Sequence, residues 1–303
     1  MTPGTDIAPV TATATATATA IVVVNYASRA LLEENLGSMN LAKTAWRVII
    51  VDNFSTASER AAIALLCTAR GWTLVTSAND GFGSGVNRGV SAARGAGCLT
   101  VVILNPDLRA STTVLSRLAA VAASEPLTLH CPTILRPDAT VWFSGGEVLL
   151  AEGRTSTAPG SRASSATGWL SGACLAFSLE LFDRVGGLDE SYFMYWEDVD
   201  FSFRCRRAGA QLRLHADLCV EHDVGGTQNS RGKSPLYVYY NCRNRLIFAA
   251  KHLDSATRRR WLLASLPYAR RVLLRGGRRE FLRAALPLVW ASLRGTVSGG
   301  RGV

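Results

Sequence analysis

The sequence contains no CxxC pair, no apolar run near the ~20 residues that a membrane-spanning helix needs, and no glycine between Val22 and Leu36. Each absence removes a class of protein. The seven cysteines, at 67, 98, 131, 174, 205, 219 and 242, are odd in number and scattered. That excludes a disulfide framework or a zinc ribbon and fits reduced thiols in the cytosol. Lacking a long apolar run, the chain is not expected to cross a membrane as a helix. Lacking a basic stretch that leads into an apolar core, its N-terminus does not read as a secretory signal. Acidic residues are scarce at the C-terminal end. Residues 243–303 hold 14 of the 33 lysines and arginines but only two acids, Asp254 and Glu280.

What is present is a well-cored globular chain of 303 residues, 48% hydrophobic and 18% charged. Residues 1–18, with the repeat "TATATATATA", read as a disordered low-complexity leader. Residues 19–250 read as one α/β domain, and 251–303 as a basic amphipathic helical region. In that last region arginines alternate with "WLLASLPYARRVLL" and "FLRAALPLVWASLRG". A basic tail suits nucleic acid, but this interleaving suits helices lying on an anionic membrane surface better. No nucleic-acid partner is expected. The charge would come from Arg258–Arg260, Arg270, Arg271, Arg275, Arg278, Arg279 and Arg283. The apolar contact would come from Trp261, Leu262, Leu266, Leu273, Phe281, Leu282, Leu286, Val289 and Trp290, with Pro267 and Pro287 breaking the helices.

Short β-branched runs at 20–26, 47–53, 72–78 and 98–107 alternate with helical stretches at 28–39, 56–70, 84–95 and 111–123. That rhythm predicts a doubly wound, largely parallel sheet. Beyond it come shorter strand-like pieces, a polar loop over 153–168, helices at 179–185 and 197–208, a β-pair at 211–221, and helices from Ser234 onward. In such a sheet the ligand lies outside the C-terminal strand ends. There the sequence places Asn25 and Tyr26, Asp52 and Asn53, and Asn105 and Asp107. A glycine-rich stretch, "NDGFGSGVNRG" (79–89), follows the third strand and suits backbone approach by a phosphate ligand. An NAD-dependent oxidoreductase needs such a loop after strand one instead. The glycine-free segment there argues against that class.

"IVVVNY", "VIIVDNFS", "NDGFGSGVNRG", "ILNPD", "LSGACLAF", "GGLDESYFMYWEDVDFSFRCRRAG" and "VEHDVGGT" follow one another in the order of the landmarks of glycosyltransferase family 2. The sequence resembles the rhamnosyltransferase-like branch of that family over about 20–250. The resemblance implies a GT-A fold, a Rossmann-like doubly wound mixed sheet, here with a helical basic C-terminal extension. It also implies inverting transfer of a sugar from a nucleotide-diphosphate donor with Mn²⁺ or Mg²⁺.

By the same resemblance Asp198 is the general base and Glu197 orients or binds the acceptor. Asp107, in "NPD", and His222 would hold the metal. Asn105 stands where the family's metal motif has its first aspartate. Asp52 would accept the pyrimidine N3–H and Tyr26 would lie against the base. Asn25, Asn79, Gly81, Arg88, Asn105, Gly172 and Ala173 complete the nucleotide-sugar site. Tyr192, Phe193, Tyr195 and Trp196 would shape the mouth. Asp200, four residues before Arg204, reads as an ion-pair partner, and His130, His215 and His252 as structural.

The donor implied is dTDP-L-rhamnose, with a UDP-hexose or UDP-galactofuranose as alternatives. The acceptor would be a lipid-linked or cell-wall glycan, and the place the cytoplasm, peripheral to the inner face of the membrane. A non-catalytic nucleotide-binding scaffold is the rival suggested by Asn105.

Overall fold

A computed structural model describes residues 19–39, 41, 46–157, 165–223, 234–276 and 285–301. The leader expected over 1–18, the middle of the 153–168 loop, the end of "VEHDVGGT", and Arg278, Arg279, Phe281, Leu282 and Arg283 lie outside the described residues. Strand β1 (Thr19–Asn25) is buried along its whole length. It pairs in parallel with β2 (Arg47–Asn53) and β4 (Thr100–Leu104), and β2 pairs with β3 (Thr73–Ser77). A strand covered on both faces needs no polar alternation, hence the run "AIVVV".

The main sheet runs β3-β2-β1-β4 and then turns mixed. Next to β4 lies antiparallel β11 (Cys174–Ser178), then β6 (Thr128–Leu135), β12 (Gln211–His222) and β5 (Leu108–Arg109). Strand β7 (Val141–Phe143) pairs with β6, and a smaller sheet orders β10 (Gly168–Trp169), β8 (Gly146–Leu149) and β9 (Arg154–Ser156). The pair expected over 211–221 is instead one strand. It runs parallel to β6 with an irregularity between His215 and Cys219.

The helix expected over 28–39 is only α1 (Arg29–Leu31) followed by a wide π-turn, Leu32–Leu36. The wide turn carries Asn35, whose amide nitrogen donates to Pro106 O at 2.9 Å and whose oxygen accepts from Arg109 at 2.8 Å. Helix α2 (Ala57–Arg70) begins at Thr56, whose hydroxyl caps Glu59 N–H, and ends at left-handed Gly71. Helices α3 (Phe82–Gly95), α4 (Thr112–Ser124), α5 (Leu179–Val185) and α6 (Glu197–Arg207) complete the sheet's cover.

The C-terminal helices are α7 (Pro235–His252), α8 (Ser255–Leu263), α9 (Ser265–Leu273) and α10 (Ala285–Arg301). Pro267 and Pro287 fall in the first turns of α9 and α10, where a missing N–H costs least. A Cβ on Gly295 would lie 2.3 Å from Tyr239 O, and one on Gly299 2.3 Å from Arg243 O. Bare glycine therefore lets α10 lie directly on the backbone of α7. Helix α7 runs through residue 250, where the sequence suggested a boundary. Trp261, expected on a membrane face, is fully buried in the main core against Trp196 and Phe248. Its indole N–H donates to Leu150 O at 2.8 Å. The face that does remain exposed carries Leu263, Leu266, Leu286, Trp290, Leu293 and Val297. Among the described residues no helix is long and apolar enough to cross a membrane.

Candidate active site

The C-terminal ends of β1, β2 and β4 and the head of α6 bring the predicted residues to one edge of the sheet. Asp198 sits in the first turn of α6, half-buried. Its Oδ2 accepts the Gly172 N–H at 3.0 Å and its Oδ1 accepts the Val199 N–H at 2.8 Å. Any side chain at 172 would crowd Asp198, since a Cβ there lies 3.3 Å from the Asp198 Cβ and 3.4 Å from the Phe82 ring. Burial raises the Asp198 carboxyl to about 6, against the pull of those two N–H bonds. Glu197 beside it is buried, and its Oε2 has no hydrogen-bond partner among the described residues. Burial first, and then the Asp198 charge, push Glu197 well above the usual carboxylate range. Both acids are therefore held above the usual carboxylate range, by burial first in each case.

Asp200 is structural. Fully buried, it takes Arg204 Nε at 2.6 Å, the Tyr192 hydroxyl at 3.2 Å and His252 Nε2 at 2.6 Å. This use of Tyr192 corrects its expected place at a sugar-binding mouth, as does the burial of Trp196. Tyr192 is held inward by Asp200 and Trp196 by the Phe248 and Trp261 rings, and Tyr195 (φ 65°) precedes Trp196 (φ 76°) in left-handed backbone. Phe193 is half-buried and stacks on Tyr240, ring centres 5.1 Å apart.

Asp107 and His222 meet through strand pairing, for β5 aligns Leu108 with His222. His222 Nε2 lies 2.9 Å from Asp107 Oδ1, and both side chains are buried. The Trp142 ring packs edge-on against the imidazole at 4.6 Å. The other ring nitrogen of His222, Nδ1, is buried without a partner among the described residues. One carboxylate and one imidazole form an O,N donor pair that fits a divalent cation sharing its remaining positions with a diphosphate. No group of three or more His, Cys, Asp or Glu side chains suited to a metal forms among the described residues.

At the other end of the site, Asn25 and Asp52 are fully buried. Asn25 Nδ2 donates to Asp52 Oδ1 at 3.0 Å, and Arg60 Nε donates to Asp52 Oδ2 at 2.7 Å. Arg60, one helix away, has no sequence signal beyond its spacing from Asp52. Tyr26 and Phe54 stay exposed at the ends of β1 and β2, and the Arg60 guanidinium lies 4.7 Å over the Phe54 ring. Phe54 was missed in the sequence, although an exposed aromatic at a strand end is the signal that finds it.

Arg88 bonds Asp80 at 2.7 Å and the Ser77 hydroxyl, so it is tied to its own loop. Asn79 is exposed. The glycines after β3 serve packing. A Cβ on Gly81 (φ 102°) would lie 2.3 Å from Phe193 O, and one on Gly89 2.3 Å from Val22 Cγ1. Gly81 thus brings Phe82 N–H to Phe193 O at 2.8 Å, joining this loop to the one that carries Asp198. Asn105 is joined through its backbone N–H to Ala173 O at 2.9 Å.

Residues 20–168 match Glycosyl transferase family 2, and residues 100–298 match Glycosyl transferase family group 2. The chain belongs to glycosyltransferase family 2. This glycosyltransferase is 29% identical to an N-acetylglucosaminyl-diphospho-decaprenol L-rhamnosyltransferase of Mycobacterium tuberculosis, over 89% of this chain and 97% of that one. It is 21% identical to the dTDP-rhamnosyl transferase RfbF of Shigella flexneri, over 84% and 88% of the two chains. Its fold is GT-A. The mannosyltransferase PcManGT of Pyrobaculum calidifontis, solved with GDP-Man and Mn²⁺, superposes with a TM-score of 0.57 at 17% identity, over 93% of this chain and 86% of that one.

Proposed function

We propose that this inverting glycosyltransferase moves L-rhamnose from dTDP-L-rhamnose to a hydroxyl of a lipid-linked glycan. Asp198 is the base, and a divalent cation, Mn²⁺ or Mg²⁺, is held by Asp107 and His222. The observation that carries the reading is Asp198 itself, a half-buried carboxylate at a helix head, hydrogen-bonded to Gly172 N–H and raised to about 6. It takes the proton of the acceptor hydroxyl as that oxygen attacks the anomeric carbon. A bound cation would neutralise charge on the departing nucleotide diphosphate. Glu197, whose buried Oε2 has no hydrogen-bond partner among the described residues, orients or binds the acceptor.

On the nucleotide, Tyr26 takes the face of the base, with Asn79, Arg88, Asn105, Gly172 and Ala173 around the diphosphate and sugar. Asn25 and Asp52, fully buried and bonded to each other, with Asp52 also bonded to Arg60, and Gly81, packed on Phe193 O, support the site rather than touch the donor as the sequence suggested. The named activities of the M. tuberculosis and S. flexneri relatives support the donor and the acceptor class. The exposed apolar residues of α8, α9 and α10, set among arginines, support peripheral attachment to an anionic inner membrane surface. Nucleotide release from a panel of dTDP-, UDP- and GDP-sugars, with and without Mn²⁺, tests the proposal. Turnover of UDP-hexose or UDP-galactofuranose in place of dTDP-L-rhamnose would replace the donor. No turnover of any nucleotide-sugar would leave a binding scaffold.

A further inference from the structure

Tyr195 and Trp196 stand in succession in left-handed backbone immediately before Glu197 and Asp198. Non-glycine residues seldom adopt that conformation, and bulky ones less often still. Such backbone persists where its surroundings over-determine it. Here the surroundings are named atoms of α7. Asn244 is fully buried, and its Nδ2 donates to Met194 O at 2.9 Å and to Tyr195 O at 2.7 Å. Its Oδ1 accepts from Arg243 Nη1 at 2.7 Å, and the same nitrogen donates to Ser191 O at 2.9 Å. A primary amide suits the task because it presents two donors from one nitrogen. From the opposite side, Phe82 N–H takes Phe193 O. The turn that delivers Asp198 to its place is therefore pinned from both flanks.

We infer that Asn244 is a positioning residue, holding the 191–196 turn and through it the orientation of the Asp198 carboxylate. The inference rests on the reading of Asp198 as the base. Asn244 meets the backbone behind the site, so its loss should misplace the base and leave the donor's own contacts intact. Arg243 supports it by orienting the amide and taking the Ser191 carbonyl.

The test compares Asn244→Ala, Asn244→Asp and Asp198→Asn for kcat, donor KM, the pH profile of kcat/KM and thermal midpoint. Asn244→Asp keeps the shape and removes both donors. Expected are falls in kcat of about 10²-fold for both Asn244 variants, the loss that a displacement of ~1 Å can cause, with donor KM little changed and the acid limb of the profile displaced. Adding Tyr195→Gly to Asn244→Ala should restore part of the lost kcat, because glycine takes left-handed backbone without help. If Asn244→Ala does not fold, Arg243→Ala carries the same readouts, with a smaller fall in kcat of about tenfold expected. Wild-type kcat per folded molecule and an unmoved pH profile in these variants, beside an inactive Asp198→Asn, would overturn the positioning role alone. An active Asp198→Asn would instead remove the reading on which it rests.

Discussion

The pH dependence of kcat/KM, with Asp198→Asn beside it, is the most direct trial of the proposed base. The free enzyme's Asp198 ionises at about 6, and only the ionised form accepts a proton. At one pH unit below that value about one molecule in ten is active, so kcat/KM should rise roughly fivefold from pH 5 to pH 6, roughly tenfold by pH 7, and then level off. The same burial has a stability consequence whose sign is opposite to that of a salt-bridged acid. The folded state holds its proton up to about 6, whereas the unfolded chain releases it near 3.8. Stability is therefore unpenalised below the unfolded value and declines as pH rises through this window. By pH 7 the loss is about 3 kcal/mol, as an order of magnitude.

Asparagine removes that penalty. It also turns an NH₂ toward one of the two backbone N–H groups that Asp198 now accepts, which costs about 1–3 kcal/mol. The two effects offset, so Asp198→Asn should fold with nearly wild-type stability while turnover falls by about 10²–10⁴. Nucleotide release measured from pH 5 to 8 supplies the profile, and scanning calorimetry at pH 5 and 7 supplies the stability. A flat profile below pH 7, or an Asp198→Asn turnover within a few-fold of wild type, would refute the argument.

Asp107→Ala and His222→Ala should each weaken metal-supported turnover, and EDTA should abolish it until Mn²⁺ is restored. Full activity in EDTA would mean that protein cations stabilise the diphosphate, and Arg60 and Arg88 would be the first to substitute. Trp261→Ala empties a fully buried site and should cost about 3–5 kcal/mol. Spread over 303 residues at ~2.1 cal/mol/K each, that is a fall in Tm of about 5–8 °C, and a fall below ~2 °C would place the ring outside the core's energetics. Anionic vesicles should co-sediment the protein more than neutral ones, with partial release by salt. Glutamate at Leu266, Leu286 and Trp290 should abolish that binding, and retention by the triple variant would move the contact elsewhere.

The order of strands and helices through α4 could be read from the sequence because local pattern dictated it. An unbroken β-branched run marks a strand buried on both faces, and Thr56, Ser111 and Gly71 mark helix ends by mechanisms that act within one turn. Asp107 and His222 were legible as types but not as a pair. Their 2.9 Å approach depends on a two-residue strand, β5, aligning with the end of β12. Trp196 and Tyr192 were misplaced because an aromatic run beside carboxylates looks alike whether it lines a mouth or faces the core. Long-range partners decide between them, Asp200 for Tyr192 and the Phe248 and Trp261 rings for Trp196, and no local pattern names those. The glycines of "NDGFGSGVNRG" were legible as a need for close approach. What approaches is Phe193 O, Val24 and Val22, long-range contacts that no local pattern names.

The same long-range contacts decide how the basic C-terminal region can be studied. Arg245 is buried, with its guanidinium donating to Gly153 O, Trp261 O and the Ser265 hydroxyl, and it lies over the Tyr268 ring at 4.4 Å. No carboxylate is among those partners, and burial lowers the guanidinium's pKa to about 10. A chain cut after Lys251 would keep the Gly153 carbonyl and lose the rest, together with the Trp261 and Tyr268 rings that cover Arg245. It would also strip Trp261 from Trp196, whose neighbour Glu197 opens the helix that carries Asp198. Loss of activity on truncation would follow from the core as readily as from a lost membrane contact. The exposed leucines and Trp290 can be altered without touching Arg245 or Trp261, so surface substitution separates attachment from catalysis where deletion cannot.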